Sequence, residues 1–376
     1  MSRSRKLLFY VIMFAGVALM VELCSRAYYY QKLSPPRAFA TAQLFRDLGE
    51  KFGSHKEADL ILRRLSHNQY LVRPELSAAE NDTINRECMA ANKAVYLPWV
   101  DFTFMDFTSK YVNVVNHRRL SKPDRSDPAA LNPIRIFFLG GSTTYGLDVT
   151  DAETIPSAFV NAYRRKYPDG RPIRVVNLGM PYYYSYQELI QLTDILLRND
   201  RPDMVIMLDG LNDCFEATAA TARAPVFAPR LQDRIKPGDV EYLSQQLQKY
   251  YDLPPAENTD SACALVAKTY LENIRHAHEL TACYHIPLYC FWQPVPYYNY
   301  PNRANDPICT QNKELRYNKI YPRIADSAAT IPYLVYLGDM LQQEKGLPFV
   351  DQLHYSPAFS RTIAEKMLSR IDFPAK

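Results

Sequence analysis

From Ile134 to the C-terminus, short apolar runs alternate with longer stretches whose apolar positions recur every third or fourth residue, the signature of strands alternating with helices. Ile134–Leu139 reads as the first strand and Thr154–Tyr167 as a helix, with Pro156 near its start and Ile155, Phe159 and Tyr163 on one face. A second strand is expected over Ile173–Leu178. Ser185-x-x-Glu188 then reads as a capping box opening a helix that turns Leu189, Leu192 and Leu196 inward. Met204–Leu208 is the third strand, Cys263–Tyr284 a helix, Pro287–Trp292 the fourth strand, Asn312–Ser327 a helix and Tyr333–Leu337 a short fifth strand. Pro357–Ile371 closes as a helix, with Ser356 as N-cap and Phe359, Ile363 and Met367 recurring at every fourth position. Such alternation predicts an α/β fold: a flavodoxin-like three-layer α/β/α arrangement around a parallel five-stranded sheet, binding ligands at the carboxyl ends of its strands.

Before Ile134 the pattern differs. Leu7–Cys24 is an almost unbroken apolar run carrying one charge, Glu22, and as a helix it spans about 27 Å, close to a hydrocarbon core. Arg3, Arg5 and Lys6 precede it, which favours residues 1–6 in the cytoplasm, residues 7–24 as an uncleaved signal-anchor and everything after them outside. A cleaved signal peptide is the rival reading, since Ser25 and Ala27 form a small-x-small site; Leu23 occupies the place where a lipoprotein anchor on Cys24 needs a small residue. Residues 25–133 read as a stalk and accessory region, with a helical patch at Ala38–Phe52 and alternating aromatics from Trp99 to Val115 that suggest short strands lying over something larger. Asn81-Asp82-Thr83 is a glycosylation sequon. Residues 134–373 form the main domain, interrupted by a polar insert at 215–260.

Composition narrows the chemistry. The 376-residue chain balances 44 basic against 40 acidic residues with no long basic block, so nucleic acid is not an expected partner. Six cysteines lie beyond the apolar run, enough for three bridges in an oxidising compartment. No Cys-x-x-Cys or Cys/His ligand spacing occurs, and His276 and His278 point to different sides of a helix, so neither a metal nor a cofactor is expected. The 28 tyrosines suit stacking on sugar rings and ordinary core packing equally.

Candidate chemistry gathers at the strand ends. The first strand runs into Gly140-Gly141-Ser142-Thr143-Thr144, which lacks the lysine of a phosphate-binding loop and the second glycine of a Gly-x-Ser-x-Gly elbow. The second strand ends at Gly179, the third at Gly210-Leu211-Asn212-Asp213, and Asp351-x-x-His354 stands before the last helix. A serine hydroxyl needs an imidazole to take its proton, the imidazole needs a carboxylate to hold its tautomer, and the tetrahedral oxyanion needs preorganised donors. Ser142, His354 and Asp351 answer the first two needs, and the Ser142, Gly179 and Asn212 amides the third. Thr143 and Thr144 read as caps and packing, and Asp213 as a support for the Asn212 loop.

In order and spacing these blocks resemble the SGNH (GDSL-type) hydrolase family, over Ile134 to about Phe373. The resemblance implies an acyl-enzyme on Ser142, with His354 as base, Asp351 as its orienting acid and Gly179 and Asn212 in the oxyanion hole. One departure stands out: the acidic residue that many members carry just before the serine is Gly141 here. Tyr182, Tyr183, Trp292 and Gln293 are candidates for lining the cleft. The expected protein is a membrane-anchored, extracytoplasmic serine esterase that removes small acyl groups such as acetyl from carbohydrate. An O-acyltransferase on surface polysaccharide or a lipid esterase or thioesterase would use the same residues. A non-catalytic binding module of a surface-assembly complex would have no reason to keep them all.

Overall fold

The computed structural model describes residues 73, 75–97, 100–122, 132–216, 259–301 and 316–373. The apolar run at Leu7–Cys24, the helical patch at Ala38–Phe52, Trp99 and nearly all of the insert at 215–260 lie outside the described residues. Among the described residues no helix is long and apolar enough to cross a membrane.

In chain order the elements are α1 (Ala78–Ala91), β1 (Ala94–Leu97), β2 (Asp101–Phe104), β3 (Val114–Val115), β4 (Arg118–Arg119), β5 (Ile134–Gly140), α2 (Ser142–Tyr145), α3 (Ile155–Lys166), β6 (Ile173–Asn177), α4 (Ser185–Leu197), β7 (Met204–Asp209), α5 (Leu211–Glu216), α6 (Asp260–Cys283), β8 (Leu288–Trp292), α7 (Tyr317–Ala328), β9 (Leu334–Tyr336) and α8 (Pro357–Leu368). The five expected strands pair in parallel in the order β6-β5-β7-β8-β9. Because the chain steps from β5 outward to β6 and then back across to β7, the carboxyl end of β5 is a topological switch point, and Ser142 follows it directly.

The sheet is larger than the sequence suggests. Arg119 of β4 pairs antiparallel with Asn177 of β6, and β3 pairs with β4, making a mixed sheet of seven strands rather than a parallel one of five. The two added strands are two residues each, too short to display an alternating pattern. Both faces of the parallel part are covered. Phe137, Leu139, Val205 and Met207 pack under α4, α6 and α7, while Ile136, Phe138, Ile206 and Leu208 pack under α3 and α8. Each of these fully buried side chains contributes about 1.5–3 kcal/mol, which explains why β5 and β7 read as continuous apolar runs.

Residues 73–122 build a third core against the carboxyl-end loops. Ile84, Cys88, Phe102, Phe104 and Val114 pack on Tyr145, Met180, Tyr183 and Val350. Of the short strands expected between Trp99 and Val115, β2 and β3 are present; β2 pairs antiparallel with β1, which precedes that stretch. Arg73, 2% exposed, clamps this region to the main domain, its guanidinium donating to Glu153 Oε1 and Oε2 at 2.5 and 2.8 Å. The sequon does not present its asparagine: Asn81 is buried, its amide donating to the carbonyls of Arg73, Leu76 and Ser77. No disulfide joins any two of Cys88, Cys214, Cys263, Cys283 and Cys290, so the bridges that six cysteines would permit are not formed among the described residues.

The final helix starts as its sequence predicts, with the Ser356 hydroxyl accepting from the Phe359 amide at 3.3 Å. The start of α4 does not. Tyr184 is its N-cap, Gln187 Oε1 accepts from the Tyr184 amide at 3.2 Å, and the two residues of the expected capping box are used elsewhere. Ser185 Oγ donates to Asp213 Oδ1 at 2.6 Å and Glu188 is buried, because both face the turn that carries Asn212.

Candidate active site

The nucleophile turn is fixed by packing. Gly141 caps α2, Ser142 is its first residue, and Gly146 ends it in the left-handed region at φ 78°. The Ser142 amide, in the first turn of a helix, has no intrahelical acceptor and so is left to donate elsewhere. A Cβ at Gly141 would fall 2.5 Å from Asn212 Nδ2 and 3.1 Å from the Tyr183 carbonyl. The departure noted before the serine therefore has a steric reason in this chain: any side chain there would displace Asn212.

The base arrives on the loop before α8. Asp351 Oδ1 accepts from the Leu353 and His354 amides at 2.8 and 2.6 Å, while the Val350 amide donates to the His354 carbonyl at 2.8 Å. This closed turn presents His354 Nδ1 to Asp351 Oδ2 at 2.6 Å and Nε2 to Ser142 Oγ at 2.9 Å. The chemistry assigns the tautomer: Nδ1–H donates to the carboxylate and Nε2 accepts from the serine hydroxyl. Burial disfavours the Asp351 carboxylate, but the charge and hydrogen bonds of His354 outweigh it and hold the group below the ordinary carboxylate range. Burial also works against the imidazolium, and Asp351 again prevails, raising His354 above its ordinary 6.5. Since the base must be neutral, activity is expected to climb with pH through a midpoint above 6.5, measured as kcat/KM for a small ester. A midpoint below that value would mean that Asp351 does not hold the imidazole in solution.

Asn212, on α5, donates from Nδ2 to the Tyr183 carbonyl at 2.7 Å. A side-chain amide carries two N–H bonds, so the second remains for an oxyanion beside the Ser142 amide. Asn212→Ala is expected to lower kcat by on the order of 10²-fold, about 3 kcal/mol of barrier, with KM little changed. A change in KM alone would reassign Asn212 to ground-state binding. Gly179 does not have the donor role that its position after β6 suggested. Its amide donates to Asn177 Oδ1 at 3.0 Å, and a Cβ would meet the Tyr145 nitrogen at 2.4 Å, so it is there to let β6 approach α2.

The four candidate lining residues separate. Tyr182 is exposed, in a left-handed conformation at φ 73°, on the loop whose Tyr183 carbonyl accepts from Asn212. Tyr183 is buried, its ring edge-on to Phe102 and its hydroxyl donating to the Phe102 carbonyl. Trp292 is wholly buried between Tyr270 and Tyr321, at centroid distances of 4.6 and 5.3 Å. Neither can line a cleft; an aromatic at a strand end serves the core as readily as a cleft wall. Gln293 is buried too, but Oε1 accepts from Thr143 Oγ1 at 2.8 Å and from the Tyr355 hydroxyl at 3.0 Å. It ties the residue after the nucleophile to the residue after the base, a positioning role that needs both loops in place to be seen.

Two groups outside the motifs bear on the site. Asp148, in the loop after α2, brings Oδ2 to 3.8 Å from His354 Nδ1. Beneath the Asn212 turn, Glu188, Asp209 and Asp213 are all buried. Asp213 is satisfied, accepting from Ser185 Oγ at 2.6 Å and from the Gly210 amide at 3.3 Å, in keeping with a support for the Asn212 loop. Glu188 and Asp209 are driven well above the carboxylate range, Glu188 by burial and the charge of Asp209, and Asp209 by burial and the charge of Asp213. The folded state thus holds protons that the unfolded chain releases. Their contribution to stability is complete below the unfolded carboxylate value near 4 and is lost as pH rises toward the raised folded values. Glu188→Gln removes one of these ionisations. Its Tm is expected to decline less steeply than that of the unaltered protein as pH rises above about 4, and parallel curves would show that the acids are not held neutral.

No family model matches the sequence, and no curated protein matches it. Solved structures do. A gut microbial diltiazem-metabolizing enzyme overlays with 17% identity and a TM-score of 0.38, over 64% of this chain and 47% of that one. A member of the lipolytic protein G-D-S-L family from Veillonella parvula overlays with 13% identity and a TM-score of 0.36, over 62% of this chain and 96% of the other. A catalytic mutant of an acetylxylan esterase from Geobacillus stearothermophilus overlays with 16% identity and a TM-score of 0.36, over 65% and 97%. These overlays are distant. Among the solved structures that the chain resembles are members of the G-D-S-L lipolytic family.

Proposed function

We propose that the protein is a serine ester hydrolase, anchored by its N-terminal apolar run with the sheet domain outside the cytoplasm, that removes small acyl groups from carbohydrate. One observation carries the hydrolase reading. Ser142 Oγ, His354 and Asp351 form a continuous relay of 2.9 and 2.6 Å, with Asn212 beside it. In the first half-reaction His354 Nε2 takes the serine proton as Oγ bonds to the acyl carbon, and the oxyanion settles between the Ser142 amide and Asn212 Nδ2. His354 then gives that proton to the leaving alkoxide, and water repeats the sequence to free the acid and Ser142.

The anchor rests on Leu7–Cys24, an apolar run of membrane-spanning length behind three basic residues. The carbohydrate preference rests on the insert, where Arg230, Arg234, Lys236, Gln245, Gln246 and Gln248 stand among Tyr242, Tyr250 and Tyr251, a set suited to hydroxyl-rich ligands rather than acyl chains. The test is a hydrolysis screen of acetyl, butyryl and long-chain p-nitrophenyl esters beside an acetylated oligosaccharide. Turnover confined to short acyl groups, extending to the oligosaccharide, supports the reading. A strong preference for long chains would transfer it to lipid.

A further inference from the structure

The relay engages both oxygens of Asp351: Oδ1 takes two backbone amides and Oδ2 takes His354 Nδ1. Asp148 is a second carboxyl at the same place. One oxygen of Asp148, one of Asp351 and a ring nitrogen of His354 all lie within 4.8 Å of one another. The chain adopts a left-handed conformation to put it there, φ 64° at Asp148, which a non-glycine residue rarely takes and a short Asp tolerates best. Both ring nitrogens of His354 are engaged, by Asp351 and by Ser142, so the trio is organised for protons.

We propose that Asp148 is a positioning residue of the relay: protonated, it donates a hydrogen bond to Asp351, and ionised, it places a second negative charge beside His354. This rests on reading His354 as the base of a serine esterase. Two carboxylates so close do not both ionise readily, and one of them keeps its proton. Burial first, and then the charge of Asp351, lift the Asp148 carboxyl to about 7. Asp351 is the one that stays ionised, because His354 and two amides stabilise its charge.

The other groups facing Asp148 come from residues 73–122. Arg119 of β4 is buried, donating to the Val149 carbonyl at 2.8 Å and lying 3.4 Å from Asp151 Oδ1; its charge opposes the rise at Asp148 without cancelling it. The Cys88 thiol of α1 is pushed up to about 12, chiefly by burial, and stays neutral.

The proton count is simple. With Asp148 protonated, the resting trio carries one negative charge, and proton transfer from Ser142 to Nε2 leaves it neutral, the Asp148 proton unmoved. When Asp148 has lost its proton to solvent, the trio carries two, and the imidazolium that forms is flanked by two carboxylates. Ionised Asp148 therefore raises the proton affinity of His354, in the same direction as Asp351.

The test uses the full chain with its seven histidines labelled at Cε1. The His354 resonance, assigned by its loss in His354→Gln, is titrated in the unaltered protein, in Asp148→Asn and in Asp148→Ala. In parallel the pH profile of kcat/KM is measured with p-nitrophenyl acetate. Both variants are expected to titrate His354 at lower pH than the unaltered protein, and to move the acid limb of the rate profile the same way. Asp148→Ala, which also loses the hydrogen bond to Asp351, should in addition lower the plateau kcat. A His354 titration that coincides with the unaltered protein's, or moves upward, overturns the proposal. The resonance needs no turnover, so a protein that hydrolyses no ester would refute the esterase reading while the titration still decides the role of Asp148. Should Asp148→Asn fail to fold, Asp148→Ser carries the same comparison.

Discussion

Ser142→Ala is expected to lower kcat for any hydrolysed ester by about 10⁴-fold or more, with the far-ultraviolet spectrum and Tm essentially kept. Among the described residues the hydroxyl makes one hydrogen bond, to His354 Nε2 at 2.9 Å, and none to a backbone amide. Stability and activity should therefore part company at this residue. The loss should not be total, since the Ser142 amide and Asn212 would still stabilise an oxyanion formed by water. A folded Ser142→Ala protein with undiminished turnover would remove the nucleophile from the account.

Asp351→Asn should approach the same loss, about 10⁴-fold in kcat, without removing any group that touches the substrate. An amide keeps the shape of the turn and can still accept the Leu353 and His354 amides. What it cannot do is stabilise the imidazolium or hold Nδ1–H against a charged oxygen 2.6 Å away. The loss should appear in kcat rather than KM, because the interaction strengthens only as His354 becomes charged. An equal effect from Asp148→Asn would contradict the division of roles between the two carboxyls. Asp351 holds the ring, whereas Asp148, 3.8 Å from it, adjusts its charge.

How far the sequence reaches into this site follows from the range of the contacts. Asp351 and His354 are three residues apart, and the turn that joins them closes on its own amides, so the pair is visible as a local motif. Ser142 and Asn212 are legible because each follows an apolar strand, and a parallel sheet gathers such positions at one end. Gly179 misleads because a glycine after a strand serves a close backbone approach as often as an oxyanion, and only the engaged amide tells the two apart. Asp148 and Gln293 have no signal. Asp148 looks like an ordinary loop acid until Asp351, more than two hundred residues away, is brought beside it, and Gln293 has meaning only as a link between two distant loops. Glu188 misleads in another way: its spacing from Ser185 suits a capping box, but the buried Asp213 claims the serine. The strand β4, and the pairing that joins β3 and β4 to the main sheet, escape notice because two residues cannot show a period, although β4 carries the buried Arg119 toward the site.

Covalent capture distinguishes a Ser142 nucleophile activated by His354 from an ordinary serine. The full chain is treated with a fluorophosphonate, a reagent that phosphonylates activated serine hydroxyls, and the digest is read by mass spectrometry. A single phosphonyl group is expected on the peptide that carries Ser142, formed in the unaltered protein and lost in His354→Ala while Tm is retained. An unlabelled Ser142 in a protein that hydrolyses esters, or labelling that survives the loss of His354, would contradict a Ser142 nucleophile activated by His354.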